Sequence, residues 1–138
     1  MKVLSLLSLF LTSISFQSCE RNPLYIDGVA GELVGHWIDQ DYSDTLYTLK
    51  RVSHIPKDTY GWTFNKDGTL TQRGNSGFCG TPPIVYSDNE GVWSERDSII
   101  EIEYEFWGGT MLLEWQIIEI SESKLTFYQV DNTIIPFD

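Results

Sequence analysis

Residues 98–106 read SIIEIEYEF, and their alternation decides the fold. Ile100, Ile102, Tyr104 and Phe106 fall on one face of an extended chain. Glu101, Glu103 and Glu105 fall on the other, because successive side chains of a strand point to opposite sides. The pattern is that of a strand with one buried and one wet face, and no helical periodicity competes with it. The acidic face also makes this strand a poor edge for pairing with a second copy.

Working outward from this strand, the chain after residue 31 keeps the extended pattern. TMLLEWQIIEIS (110–121) is apolar enough to be buried on both faces or to carry an apolar outer patch. KLTFYQV (124–130) sets Leu125 and Phe127 on one side, and LVGHWID, TLYTLKRV, YGWTF, TLTQR and EGVWSE precede, giving about eight strands. The links are tight. Asn65-Lys66-Asp67-Gly68 suits a type I turn closed by a left-handed glycine, and Gly108-Gly109 a two-residue hairpin with positive φ. With no segment long enough for a crossover helix, sequential antiparallel pairing follows. The expected fold is all-β: an up-and-down antiparallel β-barrel of about eight strands, closed or partly open.

The first 18 residues read as a secretory signal: Lys2, an apolar run from Val3 to Phe16, and a small residue, Ser18, before Cys19. The run is shorter than the about 20 apolar residues needed to span a bilayer. A cysteine after such a run and a small residue is the bacterial lipoprotein pattern, in which cleavage precedes Cys19 and the thiol is acylated, although Phe16 stands where leucine is usual. Residues 19–30 then form a lipidated N-terminus and tether, of which Glu20 to Ala30 spans up to roughly 36–40 Å when extended, and 31–138 the barrel domain. The alternative is a plain signal peptide, which leaves Cys19 free to bridge Cys79. If Cys19 is acylated, Cys79 has no intrachain partner and the chain has no disulfide framework.

The formal net charge is −11, and signal removal takes Lys2 while leaving every acid. That balance excludes a nucleic-acid footprint and a polybasic membrane anchor. Acyl chains are left to do the anchoring. Metal chemistry is equally unsupported. Asp39, Asp41 and Asp44 begin like a calcium loop, but Asp44 replaces the glycine and Lys50 the final glutamate such a loop requires, so a solvated acidic turn is expected. Neither zinc spacing nor any cofactor motif is present.

RGNSGFCGTPP (73–83) holds Cys79 between glycines and before a double proline. Strand parity places this loop at one barrel end with SHIPKDT, Trp107 and the entry of the tether. The same parity gathers Asp39, Asp41, Asp44, Asp67, Glu95, Asp97 and Glu122 at the other end, unless Ile84-Val85-Tyr86 forms an extra strand. The loop is either a plug with Cys79 as a small buried residue or the rim of a ligand site. A reactive thiol would need His54 or Arg73 to lower its pKa, and no hydrolase signature accompanies it, so no enzyme is expected. Five tryptophans can line a cavity or fill the barrel solid. The candidate ligand-binding residues are Arg73, Cys79, Trp107, His54, Trp62 and Trp93, with Trp107 over the loop the central pairing, because a ring at a turn is hard to bury.

Leu33-Val34-Gly35-His36-Trp37, then Trp62-Thr63-Phe64 with Asp67-Gly68-Thr69-Leu70, then Gly91-Val92-Trp93, make this chain resemble the small lipocalin-like lipoproteins of Bacteroidetes over residues 31–130. The resemblance implies an eight-stranded barrel with an internal cavity, Trp37 near the closed end, and placement at the outer membrane, by default on its periplasmic face. It supplies no catalytic residues. The function expected is a lipid-anchored envelope module for a small apolar or amphipathic ligand; the alternative is a filled barrel that binds an envelope protein partner. Space inside the barrel favours the first and a core filled by Trp and Phe the second.

Overall fold

The computed structural model describes residues 29–77 and 80–138. The expected signal peptide, Cys19 and Cys79 lie outside the described residues. A short helix, α1 (Val29–Leu33), leads into β1 (Gly35–Ser43), β2 (Leu46–Val52), β3 (Gly61–Phe64), β4 (Thr69–Asn75), β5 (Tyr86–Arg96), β6 (Ile99–Phe106), β7 (Gly109–Ile120) and β8 (Lys124–Ile135). The eight strands close into an all-antiparallel barrel. Closure leaves no strand with a wholly free edge to template aggregation.

The strand order is β1-β2-β8-β7-β6-β5-β4-β3, so the path is not a pure meander. β1 lies between β2 and β3 and is antiparallel to both. Residues 53–60 therefore cross the outside of β1. Ile55 packs where a Cβ on Gly61 would sit, and Arg73 donates from Nη1 to the carbonyls of Ile55 and Pro56, each at 3.2 Å. A link of this length climbs past one strand without a helix, which is why tight connections alone did not reveal the exchange. Ile84 and Val85 form no strand of their own: Val85 accepts from the Ser76 N–H, and β5 begins at Tyr86.

The exchange also redistributes the ends. One end receives α1 and the β3–β4, β5–β6 and β7–β8 turns, with Asp67, Asp97 and Glu122. The other receives the β4–β5 loop and the Trp107 turn, as expected, but also the β1–β2 turn with Asp44. The acids are therefore shared between the ends, and the chain enters opposite the glycine-rich loop. Asp39 and Asp41 belong to the bulged upper part of β1 rather than to a turn.

Two turns behave as their residues require. In the β3–β4 turn the Gly68 N–H donates to the Asn65 carbonyl at 3.1 Å, and Asp67 Oδ1 accepts from the Thr69 N–H at 2.9 Å. The second hairpin is shifted by one residue from expectation: Trp107 and Gly108 form the turn, and Gly109 pairs with Phe106 as the first residue of β7. Gly109 has φ +138°, and a Cβ there would collide with the Ile135 carbonyl oxygen. Only glycine lets β8 finish so close to the turn.

The interior is filled from the closed end upward. Trp37, Leu49, Phe64, Leu70, Ile100, Ile102, Trp115, Leu125 and Phe127 are all at most 2 % exposed. Trp115 stacks on Phe127 at 4.0 Å between ring centroids, and Trp62 and Phe64 meet Trp115 edge-on at 4.9 and 5.9 Å. Such arrangements satisfy the aromatic quadrupoles as well as burying area. Beneath them Trp37 donates from Nε1 to the Leu33 carbonyl at 2.8 Å. The Arg51 guanidinium lies over the Trp37 ring, 4.2 Å from its centroid, and donates to the carbonyls of Val34 and Glu32. Gly35, at φ +136°, leaves the room that Arg51 Nη1 occupies.

This contact fastens α1 across the barrel end. Trp37→Ala should cost about 3–5 kcal/mol, the usual penalty for emptying a large aromatic site, and Arg51→Met about 1–2 kcal/mol from the lost cation–π contact. Urea midpoints measure both, and unchanged midpoints would show that the closed end does not depend on this contact.

Candidate functional site

The upper barrel is built differently from the lower. Three ladders stop while strands continue upward. The β1–β3 ladder ends at Ile38↔Gly61, although β1 runs on to Ser43. The β2–β8 ladder ends at Leu46↔Tyr128, although β8 runs on to Ile135. The β5–β6 ladder ends at Gly91↔Tyr104, although β5 extends back to Tyr86 and β6 on to Phe106. β5 and β6 thus part above Gly91, and the barrel mouth opens between them.

A cavity of about 330 Å³ occupies this opening, at the small end of the range for ligand pockets. Its two walls differ in chemistry. β4 and β5 supply Gln72, Gly74, Asn75 and Asn89. β6, β7 and their turn supply Tyr104, Phe106, Trp107 and Met111, while Tyr60 closes the rim at the end of the crossing link. Asn89 donates from Nδ2 to Gln72 Oε1 at 2.8 Å, and Gln72 donates from Nε2 to the Arg73 carbonyl at 3.1 Å. These bonds orient the two carboxamides. Tyr60 meets Tyr86 edge-on at 5.0 Å, bracing the rim from outside.

Tyr104 joins the cavity to the core. Its residue is 8 % exposed, its ring lies 5.7 Å from that of Trp62, and it also lines the mouth. Burial pushes its phenol up to about 12, from the ordinary 10.0, because the phenolate would lose its water.

The residues expected at a ligand site separate. Trp107 does rim the cavity, 51 % exposed, with its ring edge-on to Phe106 at 5.5 Å. Gly77, from the RGNSGFCGTPP stretch, lines the same opening, so the turn and the loop share one end. Trp62 lies one layer below, against Tyr104 and Trp115. Trp93 belongs to the closed end: it is 4 % exposed and donates from Nε1 to the Asn65 carbonyl at 3.0 Å.

Arg73 faces outward. It holds Asp88 through Nε at 2.7 Å and Nη2 at 3.0 Å and grips the crossing link, so it braces the wall and does not line the cavity. The same pairing holds the Asp88 carboxyl below its usual range. His54 is exposed on the link beside Ser53 Oγ at 3.1 Å and is absent from the mouth lining.

Gln72, Asn89, Tyr104 and Met111 were not singled out from the sequence. Tyr104 carried a signal, as an inward position of the deciding strand. Gln72 carried another, because it alternates with the buried Leu70 in TLTQR and so puts a polar group inside. A larger concavity of about 540 Å³ crosses the outer face of β5–β8. It is lined by outward acids including Glu101, Glu103, Glu114 and Asp131, and Arg96 bridges Glu101 at 2.7 Å and Glu114 at 3.7 Å. That groove is the solvated face read from SIIEIEYEF.

The raised Tyr104 pKa makes a stability prediction. Folding favours the protonated phenol, so this contribution is complete below pH 10 and is lost as pH rises toward 12. The loss approaches about 1.4 kcal/mol per pH unit. Tyr104→Phe should therefore lose less stability than wild type between those pH values in denaturant titrations; identical curves would place the phenol in water. No protein-family model, curated protein or solved structure matches the chain.

Proposed function

We propose that this protein is a lipid-anchored envelope module, of the lipocalin-like lipoprotein kind, that holds a small amphipathic molecule in the barrel mouth. The observation that carries this reading is the cavity between β5 and β6, with carboxamides on one wall and Tyr104, Phe106, Trp107 and Met111 on the other. Pockets that bind small molecules typically combine apolar lining with a few convergent polar groups. The aromatic stack below the mouth limits the ligand to the upper barrel. An acyl anchor on Cys19 would hold the domain through a tether long enough to permit either orientation of the barrel to the membrane. The outer-membrane position, by default on the periplasmic face, rests on the resemblance of residues 31–130 to lipocalin-like lipoproteins and on Glu20 after the cysteine.

A second reading has its own observation. The lower barrel is filled, and Ile118, Tyr128 and Val130 are exposed on β7 and β8, which suits an interaction module that docks an envelope protein by its outer wall.

Native mass spectrometry of the domain purified from its own bacterium separates the two. A bound small molecule that is lost in Trp107→Ala, and kept in Arg73→Gln, is the expected result. A ligand-free mass in wild type, with tryptophan fluorescence insensitive to added amphiphiles, would overturn the binding reading and favour the outer wall.

A further inference from the structure

We infer that the mouth selects uncharged ligands, taking a neutral alcohol or amide with an apolar body and rejecting the carboxylate of the same shape; this rests on the mouth being the binding site. No described lining residue carries a charge, in a chain whose net charge is −11. The nearest candidate cation, Arg73, points outward and is occupied by Asp88 and the crossing link. An anion entering the mouth would leave water without gaining an ionic partner, and uncompensated burial of a charge is among the costliest steps in binding.

The polar groups left over in the mouth suit a neutral partner. Tyr104 is 8 % exposed and lines the cavity, and its hydroxyl makes no hydrogen bond to another described residue. Asn89 spends an N–H on Gln72 and retains Oδ1 as an acceptor. A donor and an acceptor within one cavity complement a hydroxyl or amide, which offers both functions, whereas a carboxylate only accepts and an ammonium only donates. The apolar body would lie against Phe106, Trp107 and Met111.

Three probes of one shape test this: 1-octanol, octanoate and octylamine, titrated into the domain by isothermal calorimetry at pH 7, with Trp107 fluorescence reporting the site. The expected result is that octanol binds at least about tenfold more tightly than either ion, the scale set by an unpaired buried charge. The octanoate deficit should shrink once the pH falls below its own carboxyl pKa, and Tyr104→Phe should weaken octanol several-fold. Equal or tighter binding of octanoate or octylamine at pH 7 would overturn charge selection while leaving the mouth a binding site. No response at Trp107 to any of the three would overturn both.

Discussion

The stack of Trp115 on Phe127, with Trp62 and Phe64 edge-on to Trp115, sets how far the barrel is solid. An eight-stranded interior is just wide enough for side chains to meet across it, so a few large rings fill a layer completely. Below this layer Leu49, Leu70, Ile100 and Leu125 pack without exposure, and α1 seals the end through Leu33, Trp37 and Arg51. Above it, facing Tyr104, Phe106 and Met111, β4 and β5 contribute Gln72, Gly74 and Asn89, too small or too polar to close the space. The filled and the hollow readings of the barrel therefore both describe it, at different heights.

The split between β5 and β6 gives the hollow part its chemistry. Because each strand contributes every second residue to the interior, the two strands flanking a gap can carry unrelated side chains to its two sides. β5, with β4, brings carboxamides held by their own hydrogen bonds; β6, with β7, brings aromatics and Met111. The charges on these strands alternate to the outside, where Arg73 meets Asp88 and Arg96 meets Glu101. An acidic protein thereby has a mouth whose described lining carries no charge. Most of these exposed pairs contribute little stability individually; Arg73 matters more because it also ties the crossing link to the wall.

The alternation of SIIEIEYEF was enough to determine a strand with one buried and one wet face, and all four of its inward residues face the interior. The turn residues at Asn65–Gly68 determined a hairpin, and Trp107 at a turn determined an exposed ring at the loop end. These are local properties, set by period, φ and side-chain length within a few residues. What only the tertiary structure decided is which strands are neighbours and which inward positions share a height. β1 slips between β2 and β3 because residues 53–60 can cross outside it and be held there by Arg73 of β4, a contact between a strand and a link 17 and 18 residues away in sequence. Likewise Gln72, Asn89 and Tyr104 become one site only through strand register, in which Gln72 faces Asn89 and the β5–β6 ladder stops at Gly91 and Tyr104. Periodicity tells a residue which face it takes; closure of the barrel tells it whom it meets, because that depends on pairing between distant segments.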